Sequence, residues 1–274
     1  MRVLVTRPEH QSRAFVSLLE KSGYQAETLP CIGIRPVPLD IGYLHTHSLV
    51  GSSQGSISKT PDESYAVDLL LDNFDAVIFT SSNAVESLIQ RFPLPWNSGS
   101  CAILAVGPAT AEKLERCGIK LAERPQPPYN SEALLKSATL CSNDLQKVVI
   151  VKGTGGRDFL QKSLEKLGVT VFTLNTYERF LPDIAESRLS RVFLKSPVDI
   201  VTITSNESLN NLALLAGTRY ISLLLKLPLV VSSSRAAVLA KELGFQNTIA
   251  VAEAPGNLGL IETITNWKLS RDGI

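Results

Sequence analysis

Short apolar runs alternate along the chain with segments whose apolar residues recur at helical spacing. The helical segments have apolar residues at i, i+3, i+4 and i+7, as in Val85, Leu88, Ile89 and Phe92, which is typical of a helix that covers one face of a sheet. The predicted strands are Val3–Thr6, Glu27–Ile34, Asp75–Thr80, Cys101–Val106, Lys147–Val151, Thr170–Asn175, Asp199–Thr204, Leu227–Ser232 and Asn247–Val251. Buried strands alternating with such helices predict an α/β fold with parallel sheets and helices on both faces.

The two halves of the sequence repeat one unit. At an offset of 146 residues, Leu4-Val5 matches Ile150-Val151 and Pro36 matches Pro182. At an offset of 124 residues, Thr80-Ser81 matches Thr204-Ser205. The change of offset makes the first copy longer between Pro36 and Thr80, where a Gly/Ser-rich stretch predicts a flexible insertion at about 42–65. Each copy also has a proline-containing link, at 35–38 and 180–182, which we expect to be a crossing between two lobes.

Charge and hydropathy limit the location and the partners. The net charge is +1, so no general basic field favours nucleic acid or a membrane surface. The N-terminus reaches Arg2, Arg7 and Pro8 too early for the apolar core of a signal peptide. The longest apolar run, 220–231, is interrupted and shorter than a membrane span. The sequence therefore predicts a cytoplasmic protein.

The cysteines and histidines give little support to metal or nucleophile chemistry. The four cysteines are too widely spaced for a zinc ribbon or a redox CxxC, and Cys31 and Cys101 are expected to be core residues. His45 and His47 fall within the insertion and are interpreted as solvated loop residues. His10 is then the remaining histidine, which disfavours a Ser-His-Asp triad.

Six strand-to-helix junctions are rich in Ser, Thr, Asn or Gly. Such junctions lie at the carboxyl ends of the strands, where α/β sheets bind ligands and where helix N-termini attract anions. A Ser or Asn there is also an ordinary helix cap. The six junctions also contain four cationic residues, Arg7, Lys152, Arg157 and Arg235. Together they predict a cleft for a large anionic ligand. The candidate binding residues are Thr6, Arg7, Ser81, Ser82, Asn83, Gly107, Lys152, Gly153, Gly155, Gly156, Arg157, Ser205, Asn206, Ser232 and Ser234.

No familiar cofactor or nucleophile motif accompanies these junctions. The loop at 153–158, GTGGRD, lacks the third glycine of a dinucleotide-binding G-x-G-x-x-G and is not a phosphate-binding P-loop. The sequence also has no HExxH metal motif and no G-x-S-x-G nucleophile elbow. Substrate positioning, backbone dipoles and one phenol remain as means of catalysis, without a metal or a classical nucleophile.

The junction motifs, taken in order, resemble the uroporphyrinogen-III synthase family. Each motif is short, but the ordered set covers nearly the whole chain, and the insertion at about 42–65 lies outside all of them. The motifs are Val3–Pro8, Phe79–Val85, Ala105–Ala111, Gly153–Arg157, Thr176–Arg179, Thr204–Asn206 and Val231–Arg235.

The resemblance implies a fold of two Rossmann- or flavodoxin-like lobes with parallel sheets, joined by a two-stranded β-ladder. Residues 1–35 and 179–274 would form one discontinuous domain, and 38–176 the other. It also implies a monomeric, cofactor-free enzyme that closes hydroxymethylbilane, a linear tetrapyrrole, with loss of water and inversion of the last ring. Tyr177 matches a family tyrosine expected to assist departure of the hydroxyl, and Thr110 is a second catalytic candidate. We expect Thr110 and Ser81 on the cleft wall.

Two alternative functions share the predicted cleft. One is a two-lobed protein that binds an anionic ligand without catalysis. The other is a nucleotide-sugar transferase or related nucleotide-dependent enzyme, although this would require a clear phosphate loop and an acidic partner for the ribose.

Overall fold

The computed structural model describes residues 1–39, 71–92, 96 and 99–273. The insertion predicted at about 42–65, with His45 and His47, lies outside the described residues. The chain divides into two compact units, Met1–Gly33 with Phe180–Ile274 and Ile34–Arg179. The described residues contain no helix long and apolar enough to cross a membrane.

The first unit is a parallel five-stranded sheet with helices. Its elements are β1 (Arg2–Val5), α1 (Glu9–Lys21), β2 (Gln25–Thr28), α6 (Glu186–Ser190, continued by a π-helical turn at Arg191–Lys195), β8 (Ile200–Ile203), α7 (Asn206–Leu224, kinked at Gly217), β9 (Leu229–Val231), α8 (Ser234–Glu242), β10 (Ile249–Val251) and α9 (Gly256–Asp272). Its strands lie in the order β10-β9-β8-β1-β2, and every neighbouring pair is parallel.

The second unit contains the other five-stranded sheet. Its elements are β3 (Gly33–Pro36), β4 (Ala76–Phe79), α2 (Ser82–Arg91), β5 (Ala102–Ala105), α3 (Pro108–Arg116), α4 (Ser131–Leu134), β6 (Lys147–Gly153), α5 (Phe159–Lys166) and β7 (Thr170–Phe180). Its strands lie in the order β3-β7-β6-β4-β5, and the pairs β7-β6, β6-β4 and β4-β5 are parallel. The chain passes between the two units within β3 and β7.

Both faces of each sheet are buried, which explains the uninterrupted apolar runs. Along β4, Val77 and Phe79 pack into one cluster while Ala76 and Ile78 pack into another, because successive side chains point to opposite faces. The predicted α/β class with parallel sheets is confirmed.

The two sheets share one arrangement. In the first unit β1 and β2 lie beside β8 and β9, and in the second unit β6 and β7 lie beside β4 and β5. Each unit therefore combines the front half of one sequence repeat with the back half of the other.

One predicted strand was wrong. Glu27–Ile34 is not continuous: β2 ends at Thr28, and β3 begins at Gly33 in the other sheet. Pro30 lies between them and has no N–H for a ladder hydrogen bond, while Leu29 and Cys31 donate theirs to the end of β1 and the residue after it. The break lets this segment leave one sheet and enter the next.

Candidate functional site

A cavity of about 470 Å³ lies within the second unit, beside the carboxyl ends of β4 and β6. Four segments supply its walls: the end of β4, the end of β7, the glycine-rich loop between β6 and α5, and the turn that leads into α4. The polar, aromatic and glycine residues that line it include Thr80, Ser81, Tyr129, Asn130, Ser131, Lys152, Gly153, Thr154, Gly155, Gly156, Arg157, Asp158, Gln161, Tyr177 and Arg179.

The glycine-rich loop turns the chain from β6 into α5. Gly155 and Gly156 have φ values of 77° and 85°, in the left-handed region that favours glycine. The Thr154 N–H is donated to the carbonyl of Tyr177 at 2.7 Å, which fixes the start of the loop to β7. The exposed glycines beyond it line the cavity with main-chain atoms, since they have no side chains.

Tyr177 is buried, with 2% of its surface exposed, yet it lines the cavity. Its ring packs on the face of Gly153, where a Cβ atom would lie 2.6 Å from the Tyr177 Cζ atom. The register between β6 and β7 shifts at this point, from Lys152 opposite Asn175 to Gly153 opposite Tyr177. The irregularity and the missing side chain together make room for the phenol.

Ser81 connects this phenol to a helix. It is the N-cap of α2, and its Oγ accepts the Ala84 N–H at 3.2 Å. The same Oγ lies 3.0 Å from the Tyr177 hydroxyl, and either group can donate. When Ser81 donates, the Tyr177 proton is free to point toward a ligand in the cavity.

Positive charge predominates in the cavity wall, which contains three cationic side chains and the carboxylate of Asp158. The Lys152 side chain is only 14% exposed, and its Nζ lies 3.4 Å from the Asp158 Oδ1. The Arg157 Nη1 lies 3.5 Å from the Glu132 Oε1. Arg179 supplies the third cation. The site therefore suits an anion, since cations and main-chain amides are the groups that bind carboxylates.

The remaining candidates of the second unit lie at neighbouring helix starts. Ser82 and Asn83 form the first turn of α2, and Asn83 is buried. Gly107 is the N-cap of α3, and Thr110 in its first turn is 4% exposed. Among the described residues, these four are not part of the cavity wall.

The candidates of the first unit lie at the carboxyl edge of its own sheet. Ser205 caps α7 by accepting the Ser208 N–H, and Asn206 begins that helix. Ser232 donates its hydroxyl to the Thr204 carbonyl, and Ser234 begins α8, which Ser233 caps.

Two further candidates of the first unit, Thr6 and Arg7, form hydrogen bonds to other residues of that unit. Thr6 is fully buried and donates its hydroxyl to the Thr202 carbonyl, while the Thr202 hydroxyl is donated to the Leu4 carbonyl. Arg7 bonds Asn257 and stacks on Phe15, and burial lowers the pKa of its guanidinium. Thr6 therefore ties β1 to β8, and we leave it out of the proposed binding site.

Several residues that line the cavity were not among the sequence candidates. Arg179 belongs to the Thr176–Arg179 motif but was not singled out, although its charge could have suggested it. Tyr129 and Asn130 precede a helix of only four residues that Ser131 begins, and no periodicity marks so short an element. Among the described residues, no cluster of three or more His, Cys, Asp or Glu could hold a metal ion.

Comparison with known proteins gives consistent matches. The model of the family described as uroporphyrinogen-III synthase HemD matches residues 13–262. A protein named uroporphyrinogen-III synthase from Chlorobaculum parvum is 26% identical over 228 residues, covering 80% of this chain and 81% of the relative. One of the same name from Escherichia coli is 27% identical over 266 residues, covering 96% and 100%.

The fold is also found among solved structures. The crystal structure of uroporphyrinogen-III synthetase from Helicobacter pylori matches with a TM-score of 0.59, covering 97% of this chain and 100% of that one. The sequence identity of that pair is 17%, so this likeness concerns the fold alone.

Proposed function

The chain belongs to the uroporphyrinogen-III synthase family, and on that premise we propose that it converts hydroxymethylbilane into uroporphyrinogen III. The reaction closes a linear tetrapyrrole into a ring, releases water and inverts the last pyrrole. We assign the site from one observation. The Tyr177–Ser81 pair and the cationic, glycine-rich loop line the same cavity. The same wall suits a reacting hydroxyl and substrate carboxylates.

The chemistry needs little from the protein beyond position and a mild acid. When the hydroxyl leaves the substrate, the pyrrole nitrogen stabilises the resulting azafulvene cation, so no enzyme nucleophile is required. We propose that the Tyr177 O–H donates to the departing hydroxyl, which leaves as water. Ser81 donates to the phenol oxygen as negative charge develops there, and the proton released on ring closure restores the phenol.

The cationic wall would orient the reacting end. Acetate and propionate groups of the substrate would accept hydrogen bonds from the amides near Gly155 and Gly156 and from Lys152 and Arg157. A volume of about 470 Å³ is in the range that holds a drug-sized ligand, which is smaller than a four-ring substrate with eight carboxylates. We propose that the cavity takes the reacting end and that the rest of the substrate extends beyond it.

The other junction residues enter the proposal as secondary contacts. Ser82, Asn83, Gly107 and Thr110 lie on α2 and α3 of the same unit. The first unit offers Arg7 and the helix starts at Ser205, Asn206, Ser232 and Ser234. We propose that the groups on α2 and α3 meet carboxylates of the substrate beyond the reacting end, while those of the first unit stay predicted binding residues.

An isomer assay tests the function. Freshly made hydroxymethylbilane closes without an enzyme to the type I isomer, so the protein is added at once, with a chelator and without any cofactor. The product is oxidised, and types I and III are separated by chromatography. The proposal predicts mainly type III and faster closure than in a heated sample, whereas only type I product would refute it. The cofactor-free reaction, the monomeric state and the cytoplasmic location stay predictions, and activity without added cofactor and with chelator present tests the first.

A further inference from the structure

Tyr129 has an unusual backbone for its residue type. Its φ is 58°, and among the described residues it is the one non-glycine residue with φ in the left-handed region. For a bulky side chain this conformation is strained, because Cβ crowds the neighbouring carbonyl oxygen. Strained residues persist where the surroundings hold them in place, and they concentrate at functional sites.

Hydrogen bonds hold this turn on both sides of the strained residue. The Tyr129 N–H is donated to the Gln126 carbonyl at 2.9 Å. The next residue, Asn130, caps α4 by accepting the Ala133 N–H at 2.8 Å. Glu132 in α4 pairs with Arg157, so the turn is also connected to the glycine-rich loop. The Tyr129 backbone is therefore fixed beside the anion-binding wall.

The ring of Tyr129 is not committed to the hydrophobic core. The residue is 47% exposed and is absent from the described core clusters, and it lines the cavity together with Lys152 and the glycine-rich loop. Burial of the Tyr129 side chain in the core therefore does not account for the strain in its backbone. An aromatic face held beside cations and main-chain amides suits a ligand that has both a π-system and carboxylates.

We infer that Tyr129 is a substrate-contact residue whose ring stacks on one carboxylate-bearing pyrrole of the tetrapyrrole. The ligand's identity rests on the proposed function, while the contact rests on the position of Tyr129. In this arrangement the pyrrole packs on the phenol ring, and its acetate or propionate reaches the amides near Gly155 and Gly156. Tyr129 then affects substrate binding, whereas Tyr177 acts on the departing hydroxyl.

Three variants test the contact. Tyr129→Gly removes the ring and relieves the left-handed strain, Tyr129→Phe keeps the ring, and Phe159→Ala removes a control ring that is 41% exposed at the start of α5. Phe159 is not among the described residues that line the cavity. We expect Tyr129→Gly to raise KM about fivefold with little change in kcat, in line with the loss of one aromatic contact. Its melting temperature should equal or exceed that of the wild type.

The controls separate binding from folding. Tyr129→Phe and Phe159→Ala should keep KM within about twofold of the wild type, since aromatic stacking does not need the hydroxyl. An unchanged KM in Tyr129→Gly, or an equal rise in Phe159→Ala, would overturn the inference. So would a lowered melting temperature in Tyr129→Gly with no change in KM.

A binding titration keeps this inference distinct from the proposed function. Uroporphyrin III, the oxidised product, is titrated into the same variants while protein fluorescence is followed. Weaker binding by about fivefold in Tyr129→Gly alone supports the contact even if the wild type makes only type I product, which would refute the function. Equal affinity in all variants overturns the contact even if the wild type makes type III.

Discussion

The Tyr177 hydroxyl and the Ser81 Oγ lie 3.0 Å apart, joining the end of β7 to the N-cap of α2. These residues are far apart in sequence and come together because β6 lies between β7 and β4 in the sheet. Ser81 is already fixed by the Ala84 N–H, so it holds the phenol in one direction at the cavity wall. The pair is therefore a positioned hydroxyl group and not merely a buried tyrosine.

Removing the Tyr177 hydroxyl should slow the reaction without unfolding the protein. In Tyr177→Phe the ring still packs on Gly153, and one hydrogen bond of about 1 kcal/mol is lost. We expect kcat for type III formation to fall by about 10²-fold, as for loss of a general acid, with a small change in KM. Timed isomer analysis and thermal unfolding measure both effects. Unchanged turnover would exclude the catalytic role.

Ser81→Ala should affect both stability and rate. Loss of the cap should cost about 1 kcal/mol, and the Tyr177 hydroxyl would lose its partner. The matched control is Ser233→Ala, because Ser233 caps α8 by accepting the Ala236 N–H. We expect Ser81→Ala and Ser233→Ala to lose similar amounts of stability. Only Ser81→Ala should have a lower kcat. If both variants lose the same fraction of activity, Ser81 is only a helix cap.

Gly153→Ala should displace the Tyr177 ring, because the new Cβ would lie 2.6 Å from it. We expect a loss of about 1–3 kcal/mol of stability, as for other overpacked sites, and a lower kcat. Gly33→Ala is the control, since its Cβ would clash with the ring of Phe180, which is also on β7. If Gly33→Ala has a melting temperature comparable to that of Gly153→Ala but keeps normal turnover, the result supports the positioning of Tyr177 by Gly153. Normal turnover in Gly153→Ala would contradict it.

The cationic wall should make substrate binding depend on salt. Lys152→Gln and Arg157→Gln should each raise KM by about 3- to 10-fold at low ionic strength, and less at high ionic strength because salt screens these charges. Lys166→Gln, at the end of α5, is the control. Initial rates at several salt concentrations provide the measurement. Equal KM values for all three variants would show that the wall does not bind the carboxylates.

The buried thiols should resist modification. Burial raises the pKa of Cys31, and burial together with Asp75 raises the pKa of Cys101 to about 11. Both thiols then stay protonated in the folded protein at pH 8, so a thiol reagent should label the exposed Cys141 first and these two only after unfolding. Because the folded pKa of Cys101 is raised, its contribution to stability should be lost as pH rises from about 9 to 11. Peptide mapping of labelled protein is the check, and rapid labelling of Cys31 would contradict the burial.

The class of fold was predictable because two periodicities were clear. Apolar runs on both faces of buried strands and helical stripes between them specify a parallel α/β arrangement. The break between β2 and β3 was missed because the apolar residues continue across Pro30, although a proline inside a strand pattern argues against a continuous strand. Which sheet each strand joins depends on hydrogen bonds to β1 and β7, which are distant in sequence.

The site was only partly predictable. Motifs pointed to Ser81, Tyr177 and the glycine-rich loop, and the structure brings these together in one cavity. Thr6 belongs to a similar motif, yet its hydroxyl is used between β1 and β8, because a motif does not reveal which polar groups the fold itself consumes. Tyr129 was missed because a left-handed backbone is uncommon for a tyrosine, so its residue type gives no sign of that conformation.

A crystal structure with uroporphyrin III bound would test most directly whether the reaction takes place in the cavity of the second unit. We expect one pyrrole unit inside the cavity, with Tyr177 facing its bridging carbon and a carboxylate within hydrogen-bond distance of the amides near Gly155 and Gly156. A ligand bound with both Tyr177 and Ser81 outside its contact surface would contradict the account.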